Sequence, residues 1–358
     1  MQTIDSAVID FNNLTGGTLS FRAPLVSIII PTYNYGRFIA QTLNSVLEQT
    51  FRDWECLIID DGSTDETCRI VTAYVDADER FRYVSHHSNQ GLSSARNTGL
   101  KESRGKYIQI LDADDVLEKR KIEIHVTYLE NHSEVDIVYG NVRYFRTENP
   151  KEKLFGRWGD GGQAPWMPQT SGKGYSVLKT LVKRNIMVVN APLTRKSVFD
   201  DVGTFDEELY SRSDWDYWIR CAEKGKYFQY LEMVETLALV RWHASSMSNE
   251  KNGQRERILK SELLMRAKMK RRFSDSELIQ INHERTTKCT GDLGIEEVIH
   301  GNLISGSFHL IKAGVIGKNM KYLVYPILGM ILPRKTFESA IRISLRRAIK
   351  SVVSPVLE

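Results

Sequence analysis

Strand-like apolar runs alternate with amphipathic stretches between residues 26 and 139. The runs are short and end in turn-forming or acidic residues; they lie at Val26–Ile30, Trp54–Asp60, Phe81–Ser85, Tyr107–Leu111 and Val135–Tyr139. Apolar residues in the stretches between them recur at helical spacing; these stretches lie at about 38–47, 63–75, 89–103 and 116–131. Strands that alternate with helices of this length predict an α/β fold, Rossmann-like, with a mainly parallel sheet and flanking helices.

Polar clusters follow three of these runs. They are Pro31-Thr-Tyr-Asn34, Asp60-Asp-Gly-Ser-Thr-Asp65 and Asp112-Ala-Asp-Asp115. Parallel strands end at the same edge of a sheet, and ligands bind in the crevice just outside it. We therefore expect the three clusters to line one site. The chain has neither a Gly-x-Gly-x-x-Gly fingerprint nor a P-loop, which leaves an acidic, metal-dependent way of holding a diphosphate.

The third cluster holds three carboxylates within four residues. On an extended segment Asp112 and Asp114 project to the same side, where they repel each other unless a cation lies between them. Mg²⁺ is usually held by one or two carboxylates together with substrate phosphates. Asp115 and Glu118 instead have the spacing of a capping box at the start of a helix. The pattern therefore assigns Asp112 and Asp114 to metal and nucleotide, and Asp115 to capping.

Composition indicates a globular protein with an uneven charge distribution. Apolar residues make up 41% and charged residues 26% of the 358 residues, as in typical soluble domains. The net charge of +4 combines an acidic part with a basic one, since residues 251–358 hold 20 Lys and Arg against 10 Asp and Glu. An acidic front part argues against nucleic acid as a partner. Four scattered cysteines and an opening segment without a leader pattern favour a cytoplasmic location.

The ordered polar motifs resemble the signatures of family 2 glycosyltransferases. Four of them match in order and spacing over about residues 24–145; they are Pro31–Asn34, Asp60–Asp65, Asn89-Gln-Gly-Leu-Ser-Ser-Ala-Arg-Asn97 and Leu111–Asp115. Three looser matches follow at Val202–Glu207, Ser213-Asp-Trp-Asp-Tyr-Trp218 and Arg241–Met247. The resemblance fades after about residue 250.

This resemblance implies a GT-A fold and inverting transfer from a nucleotide-diphosphate sugar to a saccharide or lipid-linked saccharide, as in cell-surface polysaccharide or glycolipid synthesis. It implies a divalent metal cofactor, Mn²⁺ or Mg²⁺. Roles are carried over by position. Donor-binding residues would be Thr32, Tyr33, Asp61, Arg96 and Asp112. Metal ligands would be Asp114, Asp112 and His243, and the general base would be Asp214.

Two of these assignments have open alternatives. Ser213 stands where the family usually has Glu, so Asp216, two residues after Asp214, is the alternative general base. Such acids are also common as solvated or capping residues of a helix. His243 beside Trp242 has a structural alternative too, because imidazole suits Zn²⁺ better than Mg²⁺.

Residues 1–23 form a lead-in with little periodicity, 24–250 the predicted GT-A domain, and 251–358 a mostly helical basic extension. Gly156–Gly174 is predicted to be a loop over the site. In the extension, apolar residues mix with many cations in Arg255–Phe273 and recur at helical spacing from Phe337 to Val352. This pattern suits a peripheral helix at the inner face of a membrane, or a helix packed on the domain with a solvated basic face.

Two other classes of function compete with a transferase. A catalytically inactive module that only binds sugar nucleotides would keep the fold, but the chain retains Asp112, Asp114 and Asp214. A nucleotidyltransferase would need a Gly-rich phosphate loop after the first strand, which Pro31-Thr-Tyr-Asn-Tyr-Gly36 does not supply.

Overall fold

The computed structural model describes residues 23–147, 149–154, 167–243, 246, 254–339 and 341. In this part of the chain the strands form two sheets. The strands are β1 Val26–Thr32, β2 Trp54–Asp60, β3 Phe81–Ser85, β4 Tyr107–Ile110, β5 Val116–Leu117, β6 Ile137–Tyr139, β7 Val142–Arg146, β8 Asn149–Leu154, β9 Pro192–Arg195, β10 Phe228–Tyr230 and β11 Ala238–Trp242.

Helices flank the sheets and make up the last third of the described chain. They are α1 Gly36–Leu47, α2 Thr67–Ala77, α3 Leu92–Glu102, α4 Lys121–Asn131, α5 Tyr175–Lys183, α6 Lys196–Val202, α7 Ser213–Glu223, α8 Gln254–Arg272, α9 Ser276–Ile299, α10 Leu303–Ile316 and α11 Met320–Ile331. The predicted α/β domain and its helical extension are both present.

The larger sheet has the strand order β10-β6-β9-β4-β1-β2-β3. Strands β1 to β4 run parallel, as do β6 and β10, and only β9 is antiparallel to its neighbours. Strands β1, β2 and β4 are buried along their whole length, as expected for parallel strands covered on both faces. The mainly parallel sheet is therefore confirmed.

Register within this sheet brings the three polar clusters to one edge. Thr32 at the end of β1 pairs with Asp60 at the end of β2. On the other side of β1, Ile29 pairs with Ile110, the last residue of β4. The segments after β1, β2 and β4 consequently emerge side by side, with the segment after β1 in the middle.

The smaller sheet has the order β5-β11-β7-β8 and corrects one sequence-based prediction. Residues 116 and 117 form strand β5, paired with β11, and the helix begins only at Lys121. Asp115 therefore caps no helix, and the prediction of a capping role for it was wrong. The apolar pair Val116–Leu117 fits a buried strand as well as a first helical turn, so periodicity alone could not separate the two.

Helix α8 packs on the α/β domain. Met265 and Met269 are fully buried in the same core cluster as Trp215 and Trp218 of α7. Of the two interpretations of residues 255–273, the packed helix is thus the one observed.

No helix among the described residues is long and apolar enough to cross a membrane. Three sequence-based predictions fall mostly outside the described part of the chain, which lacks residues 1–22, 155–166 and 342–358. They are the lead-in, the loop at 156–174 and the basic helix expected from residue 337.

Candidate functional site

The segments after β1 and β2 are joined to each other by hydrogen bonds at the sheet edge. Asn34, whose φ of 58° lies in the left-handed region, donates its backbone N–H to Ser63 Oγ at 2.8 Å. Its side-chain Oδ1 accepts from the backbone N–H of Thr64 at 2.8 Å, and Asp65 accepts from the backbone N–H of Gly36 at 3.0 Å. The spacing Ser63-Thr-Asp-Glu66 would suit a capping box, but Ser63 Oγ binds Asn34 and α2 begins only at Thr67. The polar residues fix the two segments against each other.

Asp61 directly follows β2, and both of its carboxylate oxygens are engaged. Oδ1 contacts His86 Nδ1 at 2.7 Å and accepts from the backbone N–H of Gln90 at 2.8 Å, and Oδ2 accepts from the backbone N–H of Gly91 at 2.8 Å. The residue is only 3% exposed. In this arrangement Asp61 shapes the turn that leads into α3.

Thr32 and Tyr33 differ sharply in exposure. Thr32 is buried and its hydroxyl has no hydrogen-bond partner in the described structure. Tyr33 is 43% exposed, which is high for an aromatic residue beside a buried strand end. Its ring is thus free to lie against a planar ligand.

Arg96 on α3 connects two of the predicted site residues. It is almost fully buried, and its Nη2 donates to Asp112 Oδ1 at 2.9 Å. Its Nη1 donates to Ser213 Oγ at 3.4 Å. Because Ser213 begins α7, the guanidinium joins the end of β4 to the helix that carries Asp214.

The Asp112 carboxylate remains about one third exposed despite its pairing with Arg96. Burial of its surroundings raises the pKa of Asp112 above the usual range; Arg96 opposes this shift, while the charges of Asp114 and Asp214 add to it. The carboxylate of Asp112, just after β4, is therefore close enough to that of Asp214 on α7 for the two to repel each other.

Asp114 pairs with His243. Its Oδ2 lies 2.8 Å from His243 Nε2, and its backbone carbonyl accepts from Arg241 Nε at 2.7 Å. The imidazole lies against Phe38, with the ring centroids 4.5 Å apart. Burial, followed by the charges of Asp114 and its acidic neighbours, raises the pKa of the nearby Tyr35 hydroxyl. The segment from residue 112 to 115 turns rather than extending, since Asp115 N–H donates to the Asp112 carbonyl at 3.0 Å.

Asp115 is held from two directions inside the protein. Its Oδ1 accepts from the backbone N–H of Arg241 at 2.8 Å, and its Oδ2 accepts from Asn190 Nδ2. Burial, reinforced by Asp114 and Asp112, raises its pKa well above the usual range. Asp115 thus fastens the β4–β5 turn to β11.

Sequence analysis did not single out Asn190 and Asn185. Asn190 is buried, and its Oδ1 accepts from the backbone N–H of Asp112 at 2.9 Å while its amide group serves Asp115. Asn185 Nδ2 donates to Asp214 Oδ2 at 3.3 Å. The sequence signal for Asn190 was its place as a polar residue within the apolar stretch Ile186-Met-Val-Val-Asn-Ala191. A buried side-chain amide needs hydrogen-bond partners, so such a residue indicates a specific contact.

Asp214 and Asp216 lie on the first turn of α7 in different environments. Asp214 is partly exposed and contacts Asn185. Asp216 is 1% exposed, accepts from Arg220 Nε at 2.8 Å and pairs with Arg272 at 3.5 Å. Of the two carboxylates, Asp214 is therefore the more accessible to solvent.

The donor chemistry of the site suits a hard divalent cation. Asp112 and Asp114 supply carboxylate oxygens. The raised pKa of Asp112 comes first from burial and then from the neighbouring charges of Asp114 and Asp214, which a cation would offset. Asp112 is bonded to Arg96 and Asp114 to His243, however, and within the described ranges no three His, Cys, Asp or Glu side chains converge as a ready ligand set.

Residues 27–199 match the model of Glycosyl transferase family 2. An uncharacterized glycosyltransferase of Methanocaldococcus jannaschii is 28% identical over 211 residues, which are 58% of this chain and 68% of that protein. TuaG of Bacillus subtilis, whose name assigns it to teichuronic acid biosynthesis, is 41% identical over 110 residues, or 31% of this chain and 44% of its own length.

Two solved structures share the fold at low sequence identity. Staphylococcus aureus TarS 1–349 in complex with UDP-GlcNAc has a TM-score of 0.59 at 16% identity, covering 84% of this chain and 90% of that one. The mannosyltransferase PcManGT from Pyrobaculum calidifontis, in complex with GDP-Man and Mn²⁺, has a TM-score of 0.57 at 18% identity, covering 93% and 84%. The GT-A fold predicted from the sequence motifs is thereby confirmed.

Proposed function

We propose that the protein, which over residues 27–199 belongs to glycosyl transferase family 2, transfers a sugar from a nucleotide-diphosphate sugar to an acceptor hydroxyl with inversion. The observation that carries this proposal is the convergence at one sheet edge. Arg96 contacts both Asp112, from the end of β4, and Ser213, which directly precedes Asp214 on α7. A donor-binding carboxylate and a candidate base thus belong to one connected site.

The donor would occupy the edge formed by the ends of β1, β2 and β4. Exposed Tyr33 offers a face for the nucleotide base, and the buried Thr32 precedes it in the chain. Both carboxylate oxygens of Asp61 are engaged by the His86–Gly91 segment. Asp61 would therefore contact the nucleotide base directly only after exchanging one of these hydrogen bonds. Otherwise it would position the nucleotide base indirectly, by shaping that turn. Arg96 and Asp112 would meet the ribose and phosphates.

Asp112 and Asp114 would hold a divalent metal ion, Mn²⁺ or Mg²⁺, with His243 beside them. A bound cation would neutralise the charge that accumulates on the departing diphosphate. The buried Arg96 guanidinium, held by Asp112 and Ser213, would contribute further positive charge to the same site.

Asp214 would act as the general base. An acceptor hydroxyl is a poor nucleophile, so a positioned carboxylate must take its proton as it attacks the anomeric carbon. Inversion requires the base on the face opposite the leaving group, which suits a residue from α7 better than one from β4. The Asn185 amide would orient the carboxylate through its contact of 3.3 Å.

The acceptor would be a saccharide or lipid-linked saccharide in cell-surface polysaccharide or glycolipid synthesis, consistent with the name of the relative TuaG. A lipid-linked acceptor would hold a cytoplasmic enzyme at the inner face of the membrane. Nucleic acid would play no part.

The test is a screen of labelled nucleotide-diphosphate sugars with Mn²⁺ or Mg²⁺, measuring release of the nucleoside diphosphate. We expect one donor to be consumed, faster when an acceptor is added, and a product of inverted anomeric configuration. Donor binding without any release, with or without acceptors, would instead support the inactive sugar-nucleotide-binding module. Retention of configuration would refute the inverting mechanism.

A further inference from the structure

Helices α10 and α11 each carry a stripe of exposed apolar side chains. Both stripes have the spacing i, i+4, i+7, i+11, which places four side chains on one face of each helix. We call the two stripes together the apolar face. It consists of Ile304, Phe308, Ile311 and Val315 on α10 and Met320, Val324, Ile327 and Ile331 on α11. These side chains are between 43% and 89% exposed. Exposed apolar surface of this extent is uncommon on soluble proteins and marks an interaction site.

The opposite faces of the two helices account for their packing within the chain. Leu310 and Ala313 of α10 are buried, and Gly306 approaches Gly294 of α9 so closely that an added methyl at Gly294 would lie 2.8 Å from the Gly306 carbonyl oxygen. Tyr325 of α11 and Leu310 of α10 lie in one buried apolar cluster. The helices are therefore held by their inner sides, and the apolar face is surplus to the fold of the described chain.

The charged residues of the segment that carries the apolar face are all basic. Residues 301–337 contain no Asp or Glu and five Lys or Arg. All five are exposed; they are Lys312, Lys318, Lys321, Arg334 and Lys335. A second copy of the chain would bring these cations against the same cations, which is unfavourable. A surface of anionic lipid headgroups complements them, while its acyl boundary accommodates the apolar side chains.

We propose that α10 and α11 form a docking surface for an anionic lipid bilayer, with the apolar face inserted at the headgroup boundary and the cations facing lipid phosphates. This surface is distinct from the helix expected beyond residue 337. Its purpose rests on the proposed function, because docking would bring the site to a lipid-linked acceptor. The binding itself does not depend on catalysis.

The experiment is sedimentation of the full chain with vesicles of phosphatidylcholine alone or mixed with phosphatidylglycerol. Wild type should bind the mixed vesicles and bind them less at high salt. Ile304→Ser and Ile327→Ser should each weaken binding about tenfold or more, given the apolar area that each removes from the interface. Lys318→Gln and Lys321→Gln should each weaken it about fivefold.

Val234→Ser provides the matched control. Val234 is 67% exposed on a short 3-10 helix of the α/β domain, remote in sequence from α10 and α11, so its replacement should leave vesicle binding unchanged. Indifference of wild type to the mixed vesicles, or equal binding by the Ile304→Ser variant, would overturn the proposal. So would a stable dimer in light scattering that Ile304→Ser and Ile327→Ser together dissociate.

Transfer to a soluble saccharide acceptor separates this inference from the proposed function. The Ile304→Ser variant should retain that transfer at the wild-type rate. Vesicle binding without any transfer would refute the proposed function but support the docking surface. Transfer without any vesicle binding would refute the docking surface but support the proposed function.

Discussion

At the scale of single residues, the environments of Asp214 and Asp216 distinguish a catalytic from a structural acid. Asp214→Asn should lower kcat about 10²- to 10⁴-fold, the contribution of a positioned base, and leave donor affinity unchanged. Asp216→Asn breaks a buried ion pair with Arg220, which should lower the free energy of unfolding by about 3–5 kcal/mol. Transfer kinetics, donor titration and urea unfolding of both variants check this.

The converse result would reassign the base. If Asp216→Asn abolished turnover in a protein as stable as wild type while Asp214→Asn turned over normally, Asp216 would be the general base and the alternative left open by the sequence would be correct.

The buried amine of Lys121 should make the free energy of unfolding depend on pH. It is fully buried, donates to the Ala191 carbonyl at 2.5 Å and lies 3.1 Å from His125 Nδ1. Burial lowers its pKa well below the usual range. The unfolded amine stays protonated up to about pH 10.4, so folding releases a proton and the free energy of unfolding rises with pH between the lowered pKa and that value.

Lys121→Met should remove this contribution, flattening the pH profile of stability by up to about 1.4 kcal/mol per pH unit. The variant gains most, relative to wild type, at the lower end of the window. Urea unfolding at several pH values from about 7 to 9 measures it, with the exposed Lys119→Met as control. Parallel profiles for wild type and Lys121→Met would mean that the buried amine stays charged.

At the scale of elements, sequence pattern predicted the strands that form the site edge and failed where tertiary contacts decide. Continuous apolar runs identified β1, β2 and β4 because parallel strands inside a sheet are buried on both faces. Val116–Leu117 was predicted to be helical because its pairing partner, β11, lies more than a hundred residues away. Asn190 was missed for the same reason, since its partners Asp112 and Asp115 are distant in sequence.

Helix α3 must pack closely on β1 to place Arg96. A methyl group at Gly99 would lie 2.2 Å from Cγ2 of the buried Ile29. Gly99→Ala should therefore lower the free energy of unfolding by about 1–3 kcal/mol and weaken donor binding, because a displaced α3 moves the guanidinium away from Asp112. The exposed Lys101→Ala on the same helix should change stability by no more than about 0.5 kcal/mol. Unaltered stability and donor affinity in Gly99→Ala would contradict this role of the contact.

At the scale of the whole molecule, the helical extension supports the part of the chain that carries the candidate base. Glu262 of α8 accepts from Nε and Nη2 of the fully buried Arg266 at 2.9 and 2.8 Å. Arg266 lies over the Trp215 ring of α7, 5.0 Å from its centroid. Glu262 also lies 3.8 Å from Arg212, which immediately precedes α7. The family match at residues 27–199 includes neither α7 nor α8, so sequence comparison gave no indication of this coupling.

Glu262→Gln should consequently affect both stability and catalysis. It leaves the buried Arg266 charge without its anionic partner, which should cost about 3–5 kcal/mol, and it loosens the segment that positions Asp214, lowering kcat more than donor affinity. Replacing both partners with apolar residues, Glu262→Leu with Arg266→Met, should recover most of the stability, because no buried charge remains. The pair Lys260–Glu256 on the same helix, with side chains 55% and 27% exposed, is the matched control: Glu256→Gln should cost less than about 1 kcal/mol. Equal effects of Glu262→Gln and Glu256→Gln in urea unfolding and in transfer kinetics would show that α8 does not support α7 through this ion pair.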